Sequence, residues 1–155
     1  MVGNSESSTE GPVAAINSRD MEKFLSFYTD DCVYEDLAVG KVNRGKDELR
    51  SFYSDSFRMA PDLKFEQKIT FTSGNWAAAE WVMTGTHSGS TPEMPATGKR
   101  FSVRGASVMQ IRDGKISRES DYWNMASLLQ QVGILPAGAS PNWFGKLMMR
   151  LTMKH

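Results

Sequence analysis

Histidine and cysteine are almost missing from this chain: two and one, respectively, among 155 residues. His87, His155 and Cys32 make no metal-ligand set of recognisable spacing. A single cysteine excludes an intrachain disulfide, and Cys32, with no histidine beside it, reads as a buried strand residue. Net charge is missing too. Eighteen basic residues balance eighteen acidic ones, which argues against nucleic-acid binding by phosphate neutralisation. No run of about 18 apolar residues exists to span a membrane. The first residues are polar, without the apolar segment of a secretion signal, and Val2 breaks the myristoylation pattern. A cytoplasmic location is the expectation. There is no Gly-x-Ser-x-Gly elbow and no phosphate-binding glycine loop.

What is present fits a single globular domain: 40% hydrophobic and 10% aromatic residues. Residues 1–11, rich in Ser, Glu and Gly, read as a flexible N-terminal segment. Pro12 suits the first turn of a short helix over Pro12–Asn17. Ser18 is placed to cap a second helix, with Met21, Phe24, Leu25 and Tyr28 on one face. Residues 32–36 read as a short strand that puts Tyr34 and Asp36 on one side. A loop of about eight residues with Gly40 and Gly45 precedes a third helix striped by Leu49, Phe52, Tyr53 and Phe57. Four long strands are expected next, around 63–71, 76–87, 101–111 and 116–123. The last two are joined by Asp113-Gly114, a strong hairpin signal. Asn124 caps a final helix that Gly133 ends. Helices gathered on one face of a curved antiparallel sheet make an α+β fold, a cone with one open end.

The final strand delivers Asp121 between Ser120 and Tyr122-Trp123. A carboxylate among large aromatics is a candidate general acid/base, because burial raises its pKa and makes it a better base. Trp81, Met83, Met109, Tyr122 and Trp123 are expected to line an apolar pocket around it. Asp36 is a second candidate acid, and Tyr34, Ser107 and His87 are candidate substrate contacts. The bland alternatives stand beside these: Asp121 pairing with Arg100 or Arg118, Asp36 as a turn residue, His87 as a structural histidine. Strand parity leaves one conflict open. Ile116 and Asp121 point to opposite sides, so either the strand bulges or Asp121 faces outward. Residues 137–155 differ in kind. Trp143, Phe144, Leu147, Met148 and Leu151 form an apolar stripe, with Lys146, Arg150 and Lys154 spaced four apart. Packing on its own domain or across a dimer is favoured over membrane contact for this amphipathic basic tail.

The segments YTDDCVYEDLAVG…RGKDELRSFY and GTHSG…MPATGKRFS…VMQIRDGKISRESDYW…LLQQVGILP resemble the SnoaL-like polyketide cyclases of the NTF2-like superfamily, which also contains ketosteroid isomerases. The resemblance covers roughly residues 12–136. It implies a cone-shaped α+β fold, usually dimeric, working without metal or organic cofactor on a hydrophobic small molecule. The cyclases' acid–base aspartate falls on Asp121. Their pocket histidine falls on Ser107, so that partner is lost. The isomerases' proton-shuttling aspartate falls on Asp36. Their oxyanion-hole tyrosine falls near Pro12 and their oxyanion-hole acid on Ser107, so both are missing. Limonene-epoxide hydrolases need an Arg-x-Asp pair where this chain reads Glu80-Trp81-Val82-Met83, which disfavours epoxide opening. The expected activity is cofactor-free proton transfer on a ketone or ester, in aldol-type ring closure or double-bond isomerisation. The alternative is a non-catalytic binding or dimerisation module on the same fold.

Overall fold

Proline at the first helical position and an aspartate cap set the entry of the chain. In the computed structural model, which describes residues 11–91 and 94–136, helix α1 spans Pro12–Asn17 and α2 spans Met21–Ser26. The Asp20 carboxylate accepts from the Lys23 N–H and caps α2. Ser18 instead closes α1, and Arg19 turns the chain at φ 64°. The Arg19 guanidinium donates to the Pro61 and Leu63 carbonyls and lies over the Phe57 ring, tying this turn to the far side of the domain.

Tyr28, placed on the second helix by its spacing, is the first residue of strand β1, Tyr28–Asp36. The loop expected after it contains a four-residue strand, β2, Lys41–Arg44. Helix α3 covers Gly45–Met59. Asp47 and Glu48 sit in its first turn, and Glu48 accepts from the Arg44 N–H. Strands β3 (Lys64–Ser73), β4 (Trp76–Thr86), β5 (Arg100–Arg112) and β6 (Lys115–Trp123) follow, then α4 (Met125–Gln131). Asn124 caps α4 through the Ser127 N–H, and Gly133 follows it at φ 80°.

The six strands lie in the order β2-β1-β6-β5-β4-β3. All neighbours are antiparallel except β1 and β6, which run parallel. The sheet is curved and unclosed. Extra residues in single strands help to bend it: Lys68 in β3, where Gln67 faces Trp81 and Ile69 faces Glu80, and Ser117 in β6. Helix α3 packs on β1 and α4 on β5. The core falls into two clusters. One joins Ile16, Phe24, Leu25, Tyr28, Cys32, Tyr34 and Leu49. The other joins Ala60, Leu63, Trp81, Met83, Phe101, Val103 and Val132. Cys32 is fully buried. No helix among the described residues is long and apolar enough to cross a membrane. The amphipathic tail and residues 1–10 lie outside the described residues.

Candidate active site

Ser117 is what turns Asp121 inward. Gln110 of β5 faces Arg118, but the next residue, Ile111, faces Ile116, so Ser117 is the unpaired extra residue of β6. The bulge resets the alternation. Ile116, Glu119 and Asp121 are all buried on one side, while Arg118 and Tyr122 are exposed on the other. The parity conflict in the sequence is thus resolved in favour of a bulge.

Two chambers lie along this inner side. The front chamber measures about 390 Å3, and its walls include Tyr34 and Asp36, Phe52 and Tyr53, Trp81 and Met83, His87, Asp121 and Trp123. The rear chamber is smaller, about 70 Å3, and holds Tyr28, Ser107, Met109 and Glu119. Asp121, Tyr53, Phe65 and Trp81 border both. Asp121 therefore stands in the partition between them.

Its carboxyl group is only 5% exposed. The Tyr34 hydroxyl donates to Oδ2 at 2.6 Å, and the Ser107 hydroxyl donates to Oδ1 at 2.5 Å. Ser107 Oγ in turn accepts from Trp81 Nε1 at 2.9 Å. The Trp81 indole reaches that position because residue 105 is glycine. A Cβ there would stand 2.2 Å from the ring. Two residues before Asp121, Glu119 is 7% exposed and accepts from the Tyr28 hydroxyl at 2.6 Å. Glu119, Ser107 and Asp121 all border the rear chamber. The Tyr53 hydroxyl pairs with that of Tyr34.

These contacts set the protonation states. Burial pushes the Asp121 pKa well above the usual carboxylate range, and the charge of Glu119 pushes it further, against the hydrogen bonds from Ser107 and Tyr34. Burial also raises Glu119, opposed by the hydrogen bonds from Tyr28, Ser107 and Asp121. Tyr28, Tyr34 and Tyr53 are raised well above the ordinary phenol value, first by burial and then by neighbouring charge. All three are neutral donors at physiological pH.

Asp36 lines the same front chamber as Asp121, but its carboxylate is occupied. Trp123 Nε1 donates to both oxygens, at 3.0 and 3.1 Å, and the Val39 N–H donates to Oδ1 at 2.9 Å. His87 is buried in the wall. Its Nδ1 lies 3.2 Å from Thr97 Oγ1, and its Nε2 has no partner among the described residues.

The structure thus brings Tyr34, Asp36, Trp81, Met83, His87, Asp121 and Trp123 to one cavity. Three expected contacts are elsewhere. Tyr122, 48% exposed, points to the outer face of the sheet, since it alternates with Asp121. Ser107 and Met109 border only the rear chamber. Glu119 was not among the expected site residues, although strand parity alone places it beside Asp121. Phe52 and Tyr53 of α3, and Met94, Met125 and Leu128, also line the front chamber. Among the described residues no group of three or more His, Cys, Asp or Glu side chains is placed to hold a metal ion.

Comparison with known proteins gives a consistent result. Residues 10–132 match the family model of the SnoaL-like polyketide cyclases. Cyclase aurE from Calcarisporium arbuscula is 30% identical over 112 residues, 71% of this chain and 79% of that protein. Nogalonic acid methyl ester cyclase from Streptomyces nogalater is 32% identical over 85 residues, 55% of this chain. That match spans 59% of the relative, less than two thirds of its length. Among solved structures, a protein with a ketosteroid isomerase-like fold from Catenulispora acidiphila superposes with a TM-score of 0.69 at 23% identity, covering 83% of this chain and 93% of that one. The fold is the expected NTF2-like α+β cone.

Proposed function

The chain belongs to the SnoaL-like polyketide cyclase family, and from that premise we propose that it is an enzyme closing a ring on a hydrophobic ketone or ester, with Asp121 moving the proton. The observation that carries this reading is the position of Asp121, a nearly dry carboxyl at the wall of a greasy chamber of about 390 Å3. Burial makes its carboxylate form a stronger base than in water. A proton next to a carbonyl passes to Asp121. The enolate carbon then bonds to a second carbonyl carbon of the same molecule. The alkoxide so formed takes the proton back. One C–H bond and one C=O π bond are exchanged for a C–C and an O–H bond, with no electrons gained or lost, so the step calls for no redox cofactor.

Tyr34 borders the same chamber as a neutral hydroxyl that donates to Asp121 Oδ2; once Asp121 has taken the substrate proton, that donor can turn to the enolate oxygen. Phe52, Trp81 and Met83 offer flat and adaptable surfaces for a polycyclic substrate, and positioning of that kind contributes several kcal/mol, on the order of 7–11 at best. His87 borders the chamber, and its Nε2, without a partner among the described residues, becomes a polar contact for a substrate oxygen once the ring turns toward the cavity. Asp36, held by Trp123 and Val39, shapes the mouth of the site rather than shuttling the proton. Double-bond isomerisation would use the same first step, with the proton returned to a different carbon.

The reading also has the chain paired with a second copy through the outer face of the sheet. Ile69, Phe71, Trp76, Val108 and Tyr122 are all exposed there. Phe71, Ala78, Val108 and Ser120 share one cross-strand row, and Ile69, Glu80, Ala106 and Tyr122 share the next. Exposed apolar side chains gathered on one face, with Glu80 paired to Arg104 among them, favour a partner.

The test uses nogalonic acid methyl ester, the compound named for one relative, as probe. Asp121→Asn is expected to lower turnover about 10²–10⁴-fold with an unchanged circular dichroism spectrum. Wild-type turnover in that variant overturns the assignment. Binding of the probe by the unmutated protein, with no turnover of it or related esters, favours a non-catalytic binding module.

A further inference from the structure

We propose that Glu119 and Asp121 work as one carboxyl pair holding a single proton, with Glu119, behind the partition, as the positioning residue that decides when Asp121 is acid and when it is base. This rests on the reading of Asp121 as the acid/base group. The geometry that carries it is the Ser117 bulge, which puts both acids on the same buried side of β6 at positions i and i+2. Each acid has its own tyrosine, Tyr28 on Glu119 and Tyr34 on Asp121. Ser107 donates to Asp121 and borders the rear chamber with both acids. Because Ser107 already accepts from Trp81, its one proton can go to only one carboxyl at a time.

Among the described residues no cation faces the pair to offset two charges. The groups facing the pair from β1 are Tyr28, Tyr34 and Asp36. From α3 comes Tyr53, from β3 Gln67, and from α1 and α2 only apolar side chains. Lys41 and His87 border the front chamber alone. Two bare carboxylates this close, dry and without a counter-ion, do not both ionise. One proton stays. When Asp121 holds the shared proton, the Ser107 hydroxyl, which otherwise donates to the Asp121 carboxylate, turns to accept from it, and the charge rests on Glu119.

Ser107 then offers the exchange path. Asp121 passes its proton to Ser107 Oγ while Ser107 passes its own to Glu119. The serine ends unchanged, Asp121 becomes the carboxylate that faces the substrate, and Glu119 becomes the neutral acid behind it. After Asp121 has taken the substrate proton, both acids are neutral and the enolate carries the charge.

The experiment is a pH titration of protein carrying 13C-labelled Asp and Glu carboxyls, with no substrate, alongside the pH profile of kcat/KM on nogalonic acid methyl ester. The unmutated protein is expected to show two separated steps, with one buried carboxyl still protonated at neutral pH. Glu119→Gln should move the Asp121 midpoint down by about one pH unit or more, and move the acid limb of kcat/KM with it, leaving KM within about twofold. Glu119→Asp should restore most of the separation. Asp121→Asn, a second variant that needs no change at position 119, should keep only the lower step. Identical Asp121 midpoints with and without Glu119, or both acids titrating independently in the ordinary range, overturn the pair. Uncoupled titration with an inactive Asp121→Asn sinks the pair and leaves the catalytic reading standing. Coupled titration with a fully active Asp121→Asn supports the pair and sinks the catalytic reading.

Discussion

A carboxyl kept protonated by its surroundings makes folding work against rising pH, and the size of that effect follows from the structure. The folded pKa of Asp121 lies well above its ordinary value, whereas in the unfolded chain it titrates near about 3.9. Between those two points the folded state binds one more proton than the unfolded state. Stability is then fully present below the unfolded pKa and falls as pH rises, by about 1.4 kcal/mol per pH unit. The fall stops once the folded pKa is passed. Asp121→Asn removes this penalty. The difference in unfolding free energy between the variant and the unmutated protein should therefore grow in the variant's favour as pH rises from 5 to 7, with a limiting slope of about 1.4 kcal/mol per pH unit. For a domain of this size each kcal/mol is roughly 2–4 °C in Tm.

Other acids act in a lower window. Hydrogen bonding and charge lower Asp30 through Lys46, Asp31 through Thr29 and Arg112, and Asp62 through Thr86. Their contributions are complete above about pH 4 and cancel in the comparison. Urea unfolding of both proteins at pH 5, 6 and 7 measures the slope. A difference that is flat across this range, or that favours the unmutated protein as pH rises, refutes the claim that the site holds a buried proton.

Two further perturbations test the scaffold. Gly105→Ala places a Cβ 2.2 Å from the Trp81 ring. It should displace the indole, break its bond to Ser107 and cost about 1–3 kcal/mol, together with a red-shifted tryptophan emission and a larger loss in kcat than in KM. Unchanged stability and emission would show that the ring does not depend on that glycine. Phe71→Lys on the exposed outer face should convert a dimer to a monomer by light scattering, without unfolding it. A monomer before the change, or a dimer after it, removes that face from consideration.

The parts of this fold that could be read from the sequence are those where side chains alone decide. Pro12 fixed the start of α1, Asp113-Gly114 the hairpin, and Asn124 with Gly133 the limits of the last helix. Tyr28 misled because its spacing from Met21 suits a helix, yet it opens a strand, its ring against Phe24 and its hydroxyl on Glu119. Strand β2 was invisible because Lys41-Val42-Asn43-Arg44 has little apolar alternation. It exists because β1 offers it an edge. In the site, Asp121 was legible, and alternation puts Glu119 on the same side, but which side both acids face was not. A strict two-residue alternation sets Ile116 against both acids. Only the unpaired Ser117 shows that core anchor and acids share a side. Tyr122 was drawn inward by its neighbours' chemistry, although its own parity sends it out.

That single surplus residue has a bearing on how this lineage can change. Swapping side chains along β6 tunes the chemistry, but removing or adding one residue between the hairpin and the acids would rotate the whole far half of the strand. Glu119 and Asp121 would meet water, and Arg118, Ser120 and Tyr122 would be driven into the chamber. The distance in sequence from the Asp113-Gly114 turn to the acids is therefore a fixed length, and drift in this stretch can proceed by substitution while tolerating no change in count.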